Sequence, residues 1–215
     1  KAGALYPVKM TEAVIKYRAD VGVSLDGDAD RVIMADEKGR VVNGDHILAM
    51  SALHLKEIGK LPKNTIVATH MSNFGLDQLM GQNGIQVIRT DVGDKYVVEE
   101  MRKYGYTLGG EQSGHIIFLE HSTTGDGCVA ALNVIAVMKG TGKKLSVLND
   151  LMKEVPQILI NTKVKNKKDF SEINGFSDLK NEIETELKGK GRIMVRYSGT
   201  ENLCRVLVEG PDKRK

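Results

Sequence analysis

Short apolar runs alternate along the chain with segments whose apolar positions recur at helical spacing. The runs suit strands that are buried on both faces, and the helical segments extend over about ten residues. This alternation predicts βαβ units and parallel strands in an α/β domain. The predicted strands cover residues 21–25, 65–69 and 85–88, and the predicted helices cover residues 45–58, 74–82 and 95–104.

The remaining segments up to Pro156 fit the same pattern. A helix is predicted over residues 11–19, and residues 31–42 read as a hairpin with its turn at 37–40. Residues 106–108 and 115–119 are β-rich and flank a glycine-containing loop at 109–115. Helices are predicted over residues 124–138, which are apolar on nearly every face, and 145–155, where Pro156 ends the helix.

After Pro156 the pattern changes. Strands are predicted at residues 158–164, 193–195 and 203–208, with a polar linker at 166–171 and a helix at 178–187. Residues beyond Pro156 are therefore expected to form a separate, small α+β domain.

The amino-acid composition argues against several functional classes, among them nucleic-acid-binding and membrane proteins. The 41% apolar and 27% charged residues are typical of a folded globular protein, and a net charge of +3 without basic clusters gives no support for nucleic-acid binding. The basic ends, Lys1 and residues 213–215, are expected to be solvated. The nearly apolar stretch 128–138 is far shorter than the roughly 18 residues of a membrane span, so no membrane contact is expected.

The cysteines and the first residues of the chain give information about the cellular location of the protein. Cys128 and Cys204 have no CxxC spacing, which favours reduced thiols and a cytoplasmic location. The chain opens at Lys1 without a signal pattern, and we expect it to be a fragment of a longer protein.

An acidic loop directly follows the first predicted strand. Asp26, Asp28 and Asp30 alternate with the small Gly27 and Ala29, so that all three carboxylates are expected to converge on a hard cation such as Mg²⁺. Arg31 would balance the remaining charge or reach an anionic ligand. One alternative is a solvated acidic turn without metal.

A second alternative is a calcium-binding EF-hand, because the three aspartates and Glu37 match its ligand spacing. Against it, Arg31 occupies the position that requires Gly, and both flanking segments are predicted strands rather than helices.

Two further loops combine polar side chains with glycine. Glu111, Ser113 and His115 lie within five residues and suit the hydroxyl groups of a sugar, although a polar connection facing water is the alternative. The loop between the last two strands contains a guanidinium, hydroxyl groups and backbone N–H groups suited to phosphate, with an ordinary hairpin loop as the alternative. Its candidate phosphate-binding residues are Arg196, Ser198, Gly199 and Thr200.

Lys95 is a weaker candidate. It follows Gly93 and Asp94 at the start of a predicted helix, where its ammonium group could reach a phosphate or a sugar, or could be solvated.

At these three loops the chain resembles the α-D-phosphohexomutase superfamily, whose metal, sugar and phosphate loops occur in this order. GEQSGH at residues 110–115 and TTGDG at 123–127 are similar to the phosphoglucosamine mutase branch. The resemblance covers essentially the whole chain. It implies mixed-sheet α/β/α domains followed by a truncated α+β domain: residues 1–42 would end the second domain, 43–154 would form the third, and 155–215 the fourth.

The resemblance also implies roles. Asp26, Asp28 and Asp30 would hold Mg²⁺ beside a phosphoserine, and Glu111 and Ser113 would bind sugar hydroxyls. His115 and Arg31 would be catalytic, with His115 assisting proton transfer. Lys95, Arg196, Ser198, Gly199 and Thr200 would contact the substrate, with the last four on its non-reacting phosphate. The reaction would move phosphate between O6 and O1 of glucosamine through a bisphosphate.

Two departures from the family pattern limit these expectations. The phosphoserine loop, expected in a preceding domain, is absent, so the chain alone should be inactive. The phosphate loop resembles RPSGTEP, but Tyr197 and Asn202 replace its prolines, which predicts a less ordered free loop.

Several alternatives remain open at this stage. The sugar phosphate could be that of a phosphomannomutase or phosphoglucomutase of the same superfamily. A calcium-binding module and a non-catalytic sugar-phosphate sensor are alternatives of a different class. A homo-oligomer is one of the partner hypotheses.

Overall fold

A computed structural model describes residues 3–211, so the basic ends predicted to be solvated lie outside the described residues. The chain divides into two compact units that meet between Lys153 and Glu154. The helices are α1 (Val8–Tyr17), α2 (Gly44–Glu57), α3 (Phe74–Gln82), α4 (Asp94–Tyr104), α5 (Gly127–Thr141), α6 (Leu145–Asn149) and α7 (Phe176–Leu187). The strands are β1 (Val21–Leu25), β2 (Val32–Asp36), β3 (Val41–Val42), β4 (Thr65–Thr69), β5 (Gln86–Thr90), β6 (Leu108–Gly110), β7 (Ile116–Phe118), β8 (Gln157–Lys163), β9 (Arg192–Tyr197) and β10 (Leu203–Glu209).

The first unit begins with an antiparallel sheet in the order β1-β2-β3. Leu25 pairs with Val32, so residues 26–31 form the turn between β1 and β2. All five residues of β2 are buried, because this strand packs its apolar side chains into the main core. The acidic loop is therefore held at the end of a hairpin whose second strand is buried.

The central sheet of the first unit has the order β5-β4-β6-β7. Strands β5, β4 and β6 are parallel, whereas β7 returns antiparallel to β6, which confirms the predicted mixed sheet. β4 is buried throughout, as expected for a central parallel strand. The loops that follow β4, β5 and β6 gather at one edge of this sheet, where ligands of open α/β sheets commonly bind.

Apolar cores lie on both faces of the central sheet. Side chains of α2, α3, α5 and α6 pack on one face together with β2, and Val97 and Met101 of α4 pack with Val67 and Ile117 on the other. This is the α/β/α layering that the resemblance implies. Each large apolar side chain that is fully buried stabilises the layers by roughly 1.5–3 kcal/mol.

The second unit contains an antiparallel sheet in the order β8-β10-β9, with α7 contacting β9. Phe170 stacks on the ring of Phe176 at a centroid distance of 4.8 Å and on that of Tyr197 at 4.5 Å. This unit is the predicted small α+β domain. The domain bounds proposed from the resemblance (1–42, 43–154 and 155–215) stay predictions.

Several predicted segments differ from the structure; the helix predicted over 11–19, for example, lies at Val8–Tyr17. The helix predicted over 145–155 ends at Asn149, well before Pro156, and the helix predicted from residue 124 begins at Gly127, because the Asp126 side chain accepts a hydrogen bond from the N–H of Val129 at 2.9 Å. The strand predicted at 106–108 lies at Leu108–Gly110. A Cβ on Gly109 would lie 2.5 Å from the sulfur of Met101, so this glycine allows α4 to pack closely on β6 rather than keeping a loop open.

Among the described residues, no helix combines the length and apolar character needed to cross a membrane.

Candidate active site

The acidic loop brings its three carboxylates together. Asp26, Asp28 and Asp30 each offer an oxygen, and these atoms lie within 4.8 Å of one another. The turn is tight because Ala29 adopts a left-handed conformation with φ of 61° and the N–H of Ala29 bonds back to the carbonyl of Asp26. Three carboxylate oxygens at this spacing fit a hard divalent cation, which prefers oxygen ligands.

The electrostatics of the loop also favour a cation. Burial raises the pKa of Asp30, and the adjacent Asp26 carboxylate raises it further. Burial acts in the same sense on Asp26, but hydrogen bonds from the Arg31 N–H and the Asp30 side chain outweigh it and lower the pKa of Asp26. The pKa values of these two adjacent carboxyl groups shift in opposite directions because ionisation of one group disfavours ionisation of the other. A divalent cation would remove that conflict, so the donor set fits Mg²⁺.

Arg31 partly offsets the negative charge of the loop. Its Nε lies 3.8 Å from Asp26 and 3.9 Å from Asp30, and its backbone N–H donates to the Asp26 carboxylate at 3.1 Å. The side chain is 39% exposed. The guanidinium therefore borders the carboxylate cluster while remaining accessible to an anionic ligand.

The structure excludes the EF-hand alternative. The acidic loop connects the antiparallel strands β1 and β2 rather than two helices. Glu37, which would supply the last calcium ligand, accepts hydrogen bonds from the N–H and the hydroxyl group of Ser146 instead.

The Glu111 loop leaves the end of β6 and is organised by its own carboxylate. One oxygen of Glu111 accepts from the N–H of Gly93 at 3.1 Å, and the other accepts from the hydroxyl group of Ser113 at 3.3 Å. Ser113 is exposed and Glu111 is half-buried. The loop thus presents a preoriented carboxylate and an accessible hydroxyl group, which suits recognition of sugar hydroxyls.

His115 lies at the base of this loop and is only 3% exposed. Its Nδ1 lies 3.1 Å from Asp30, and its Nε2 accepts from the N–H of Gly125 at 3.2 Å. A second carboxylate, that of Asp94, lies 4.0 Å from Nε2. Both ring nitrogens are therefore engaged within the protein.

Backbone contacts join the metal and sugar loops within the first unit. Arg31 and His115 form an antiparallel β-bridge, and the N–H of Val32 donates to the carbonyl of Gly114 at 3.0 Å. The predicted metal ligands and the predicted sugar-binding residues are consequently neighbours, although about 85 residues separate Asp30 from His115 in the sequence.

Lys95 is near this site but does not point a charge into it. The residue is exposed, and its Nζ lies 4.5 Å from the centroid of the Tyr96 ring. The backbone just before it is more closely involved, since Gly93 donates to Glu111. A role for Lys95 in substrate binding stays a prediction.

The predicted phosphate loop belongs to the second unit and connects β9 to β10. Gly199 and Thr200 are exposed, whereas Ser198 is 4% exposed. The Ser198 hydroxyl oxygen accepts from the N–H of Glu201 at 3.3 Å and from Arg205 at 3.4 Å. Ser198 therefore stabilises the conformation of the loop. Gly199 and Thr200, which follow it, are exposed, so their backbone is accessible to a ligand.

Arg205 is a candidate phosphate-binding residue that sequence reasoning missed. It lies directly opposite Arg196 on the neighbouring strand. Like charges at such a cross-strand position are destabilising unless an anion lies between them. Glu201 contacts one nitrogen of Arg205 at 3.2 Å, and among the described residues the buried Nε of Arg205 has no hydrogen-bond partner. Only the strand register reveals this pair.

Two family models match the chain. The model described as phosphoglucomutase/phosphomannomutase, alpha/beta/alpha domain III, matches residues 43–155, and the model described as the phosphoglucomutase/phosphomannomutase C-terminal domain matches residues 159–215.

Curated relatives match nearly the whole chain. A phosphoglucosamine mutase of Bdellovibrio bacteriovorus is 65% identical over 213 residues, covering 99% of this chain and 47% of that protein. A phosphoglucosamine mutase of Geobacter metallireducens is 54% identical over 211 residues, covering 98% of this chain and 47% of that protein. The chain thus spans about half the length of the curated relatives it matches.

Solved structures share the fold. N-acetylphosphoglucosamine mutase of Aspergillus fumigatus, in complex with GlcNAc-6P and magnesium, is similar with a TM-score of 0.77 at 20% identity, covering 99% of this chain and 54% of that one. An N-acetylglucosamine-phosphate mutase in its product complex is similar with a TM-score of 0.73 at 21% identity, covering 99% of this chain and 50% of that one.

Proposed function

The chain belongs to the phosphoglucomutase/phosphomannomutase family, and on that premise we propose that it forms the metal-, sugar- and phosphate-binding part of an enzyme that interconverts glucosamine 6-phosphate and glucosamine 1-phosphate. The observation that carries this proposal is the junction of the Asp26–Asp28–Asp30 cluster with the Glu111–His115 loop in one unit. The choice of glucosamine rests on relatives that are 65% and 54% identical.

Asp26, Asp28 and Asp30 are the residues that would hold Mg²⁺. When bound, the ion offsets negative charge on the phosphoryl group that is transferred. Arg31 is partly exposed and lies beside two of these carboxylates. Its guanidinium would add a positive charge next to the transferred phosphoryl group. We assign Arg31 to the stabilisation of charge during transfer.

Glu111 and Ser113 would bind the sugar. A carboxylate whose two oxygens are already oriented by Gly93 and Ser113 accepts hydrogen bonds from hydroxyl groups without first having to reorganise. The accessible Ser113 hydroxyl adds a second contact. These residues would fix the orientation of the ring that presents its O1 or O6.

The phosphate end of the substrate is assigned to the second unit. Arg196, with Arg205 opposite it, offers guanidinium groups that match phosphate oxygens, and the exposed backbone at Gly199 and Thr200 offers N–H groups. Holding the phosphate that does not react would position the sugar without taking part in the chemistry.

The phosphoserine needed by the reaction is assigned to another part of the protein. The matching relatives are about twice as long as this chain. The chain alone is therefore expected to bind metal and to be inactive. A cytoplasmic location belongs to the same proposal and rests on the sequence alone.

A chimera tests the proposal. Residues 1–215 would replace the matching segment of the Bdellovibrio bacteriovorus phosphoglucosamine mutase, and turnover of glucosamine 6-phosphate would be compared with that of glucose and mannose 6-phosphates. We expect glucosamine 6-phosphate to be preferred and Asp28→Asn to lower kcat by at least about a hundredfold, because a metal ligand is lost. Asp20→Asn, an exposed residue of the same type, is the matched control.

Other outcomes would assign the chain differently. A folded chimera without turnover of any sugar phosphate would support a non-catalytic sensor. Preference for mannose or glucose phosphate would instead place the chain with phosphomannomutases or phosphoglucomutases.

A further inference from the structure

Ser198, in the candidate phosphate loop, is held at each of its polar groups. Its N–H donates to the carbonyl of Leu203 at 2.8 Å, and its hydroxyl oxygen accepts from the N–H of Glu201 at 3.3 Å. Its own carbonyl accepts from the ammonium group of Lys167 at 2.6 Å, although 31 positions separate the two residues in the sequence. The Lys167 contact therefore fixes the one polar group of Ser198 that the loop itself leaves free.

The same contact determines the orientation of the next backbone N–H. The peptide between Ser198 and Gly199 is trans and planar, so the Ser198 carbonyl and the Gly199 N–H point in opposite directions. Gly199 has no side chain and lies in open surroundings, which leaves this peptide sterically free to rotate. An ammonium group on the carbonyl restrains that rotation. It also polarises the peptide, which makes the N–H a stronger donor.

The N–H groups that follow Ser198 are available to a ligand. In the described part of the chain, the N–H groups of Gly199 and Thr200 have no protein acceptor, and both residues are exposed. Successive backbone N–H groups of this kind form concave sites that bind anions. The orientation of the Gly199 N–H is therefore a determinant of how well this loop can hold a phosphate.

Lys167 is held in place by the segment on which it lies. On one side of Lys167, the N–H of Val164 donates to the carbonyl of Asn202 at 3.0 Å. On the other side, the Phe170 ring stacks on the Tyr197 ring with a centroid distance of 4.5 Å and an interplanar angle of 6°. This segment thus contacts both flanks of the phosphate loop, with the ammonium group of Lys167 bound between them.

We propose that Lys167 is a positioning residue of the phosphate site: it holds the Ser198 carbonyl and thereby directs the N–H of Gly199 to the phosphate. The inference rests on the proposed function for the assignment of this loop to phosphate binding. Lys167 acts through the peptide, so that no contact between its ammonium group and the phosphate is required. In the sequence it is one of several lysines in a polar linker, and the fold alone distinguishes it from them.

Binding of inorganic phosphate to the 215-residue chain, measured by titration calorimetry, tests the inference. We expect Lys167→Met to weaken phosphate binding about fivefold or more, because a charged hydrogen bond that orients the loop is lost. Lys167→Arg should retain most of the affinity, since a guanidinium group can also donate to the Ser198 carbonyl. Lys168→Met is the matched control, because it removes the same charge from the adjacent exposed residue, and it should change the affinity by less than about twofold.

A second measurement reports on the peptide itself in the absence of phosphate. The amide proton resonance of Gly199 is followed by nuclear magnetic resonance in the isotope-labelled chain. Lys167→Met should move this resonance to lower chemical shift, because the N–H is less polarised when the preceding carbonyl loses its donor. Lys168→Met should leave the resonance in place. Circular dichroism of each variant verifies that the fold is retained.

The outcomes separate the inference from the proposed function. If Arg196→Met abolished phosphate binding while folded Lys167→Met bound normally, the loop would keep its assignment and the positioning role would be overturned. Equal losses in Lys167→Met and Lys168→Met, or in Lys167→Met and Lys167→Arg, would also overturn it, as would an unchanged Gly199 resonance. If the unaltered chain failed to bind phosphate, both the phosphate site and the inference would fall.

Discussion

Asp45 is a buried carboxylate whose ionisation should make the first unit less stable as pH rises. It lies in the first turn of α2 and is fully buried, and one of its oxygens accepts from the N–H of Asn73 at 2.8 Å. Asn73 caps α3, so this contact joins the first turn of α2 to the start of α3. Burial raises the pKa of Asp45 from 3.8 to about 6, although the Asn73 N–H opposes the rise.

The sign and size of the effect follow from this pKa. The folded-state pKa lies above the unfolded value, so the folded protein keeps the Asp45 proton at pH values where the unfolded chain has lost it. This contribution to stability is complete below about pH 4 and is lost as pH rises through about 6. The gap between pKa values of 3.8 and about 6 corresponds to about 3 kcal/mol.

The substitution Asp45→Asn tests this reasoning. Hydrogen exchange of the β4 amides in urea would report the unfolding free energy of the first unit at pH 4 and pH 7. Relative to the unaltered chain, the variant should gain about 2.4 kcal/mol between the two pH values, because asparagine does not ionise and the unfolded Asp45 is already partly ionised at pH 4. Asp20→Asn, at an exposed site, should give no such gain. Parallel pH profiles for Asp45→Asn and the unaltered chain would refute the assignment.

Three other substitutions test further contacts. Arg205→Met should weaken binding of inorganic phosphate by the chain about tenfold, measured calorimetrically, because one charged hydrogen-bonding partner is lost. Tyr197→Ala should lower the melting temperature of the second unit by removing the stack on Phe170, whereas Tyr197→Phe should not. Arg89→Met should destabilise the first unit by about 3 kcal/mol or more in urea, because it leaves the partly buried Asp77 unpaired.

Each of these predictions has a clear contrary result. Unchanged phosphate affinity in Arg205→Met would remove that residue from the site. Equal melting temperatures for the Tyr197 variants would mean that the stack contributes nothing. A loss below about 1 kcal/mol in Arg89→Met would place its ion pair among weak surface pairs.

Local patterning was sufficient to predict much of the first unit. β1, β4 and α3 have the predicted bounds, because their apolar runs and capping residues act within a few positions. The strand β6 was misplaced because glycine has low strand propensity, and the reason for Gly109 is its contact with Met101 of α4. This contact is between β6 and α4, which become neighbours only when the helix packs on the sheet.

In the candidate site, too, local patterns could be predicted from the sequence and long-range contacts could not. The alternating aspartates predict a cluster, and their carboxylate oxygens do lie close together, while metal binding by them stays a prediction. The backbone donors at Gly93 and Gly125 could not be predicted, since an N–H group carries no mark in the sequence. Arg205 was missed because its position opposite Arg196 depends on strand register.

Tyr197 and Asn202 show how tertiary contacts can replace local rigidity. Loss of the family's prolines predicts a looser phosphate loop, but the Tyr197 ring stacks on Phe170 with an interplanar angle of 6°. The carbonyl of Asn202 accepts from the N–H of Val164 at 3.0 Å. The Tyr197 side chain is thus anchored by a residue more than 25 positions away in the sequence, whereas the carbonyl contact at position 202 is one that a proline could also make.

The conformation of the metal loop also depends on contacts with distant segments. Ala29 has a φ of 61°, a left-handed conformation that costs an alanine roughly 1–2 kcal/mol. A free loop would relax from it and separate the aspartates. The N–H of Gly127 bonds to the carbonyl of Ala29, and His115 bonds to Asp30, so distant segments hold the strained turn in place. Alternating aspartates therefore supply the ligands, but their readiness to bind a cation depends on contacts made about 85 and 98 residues away.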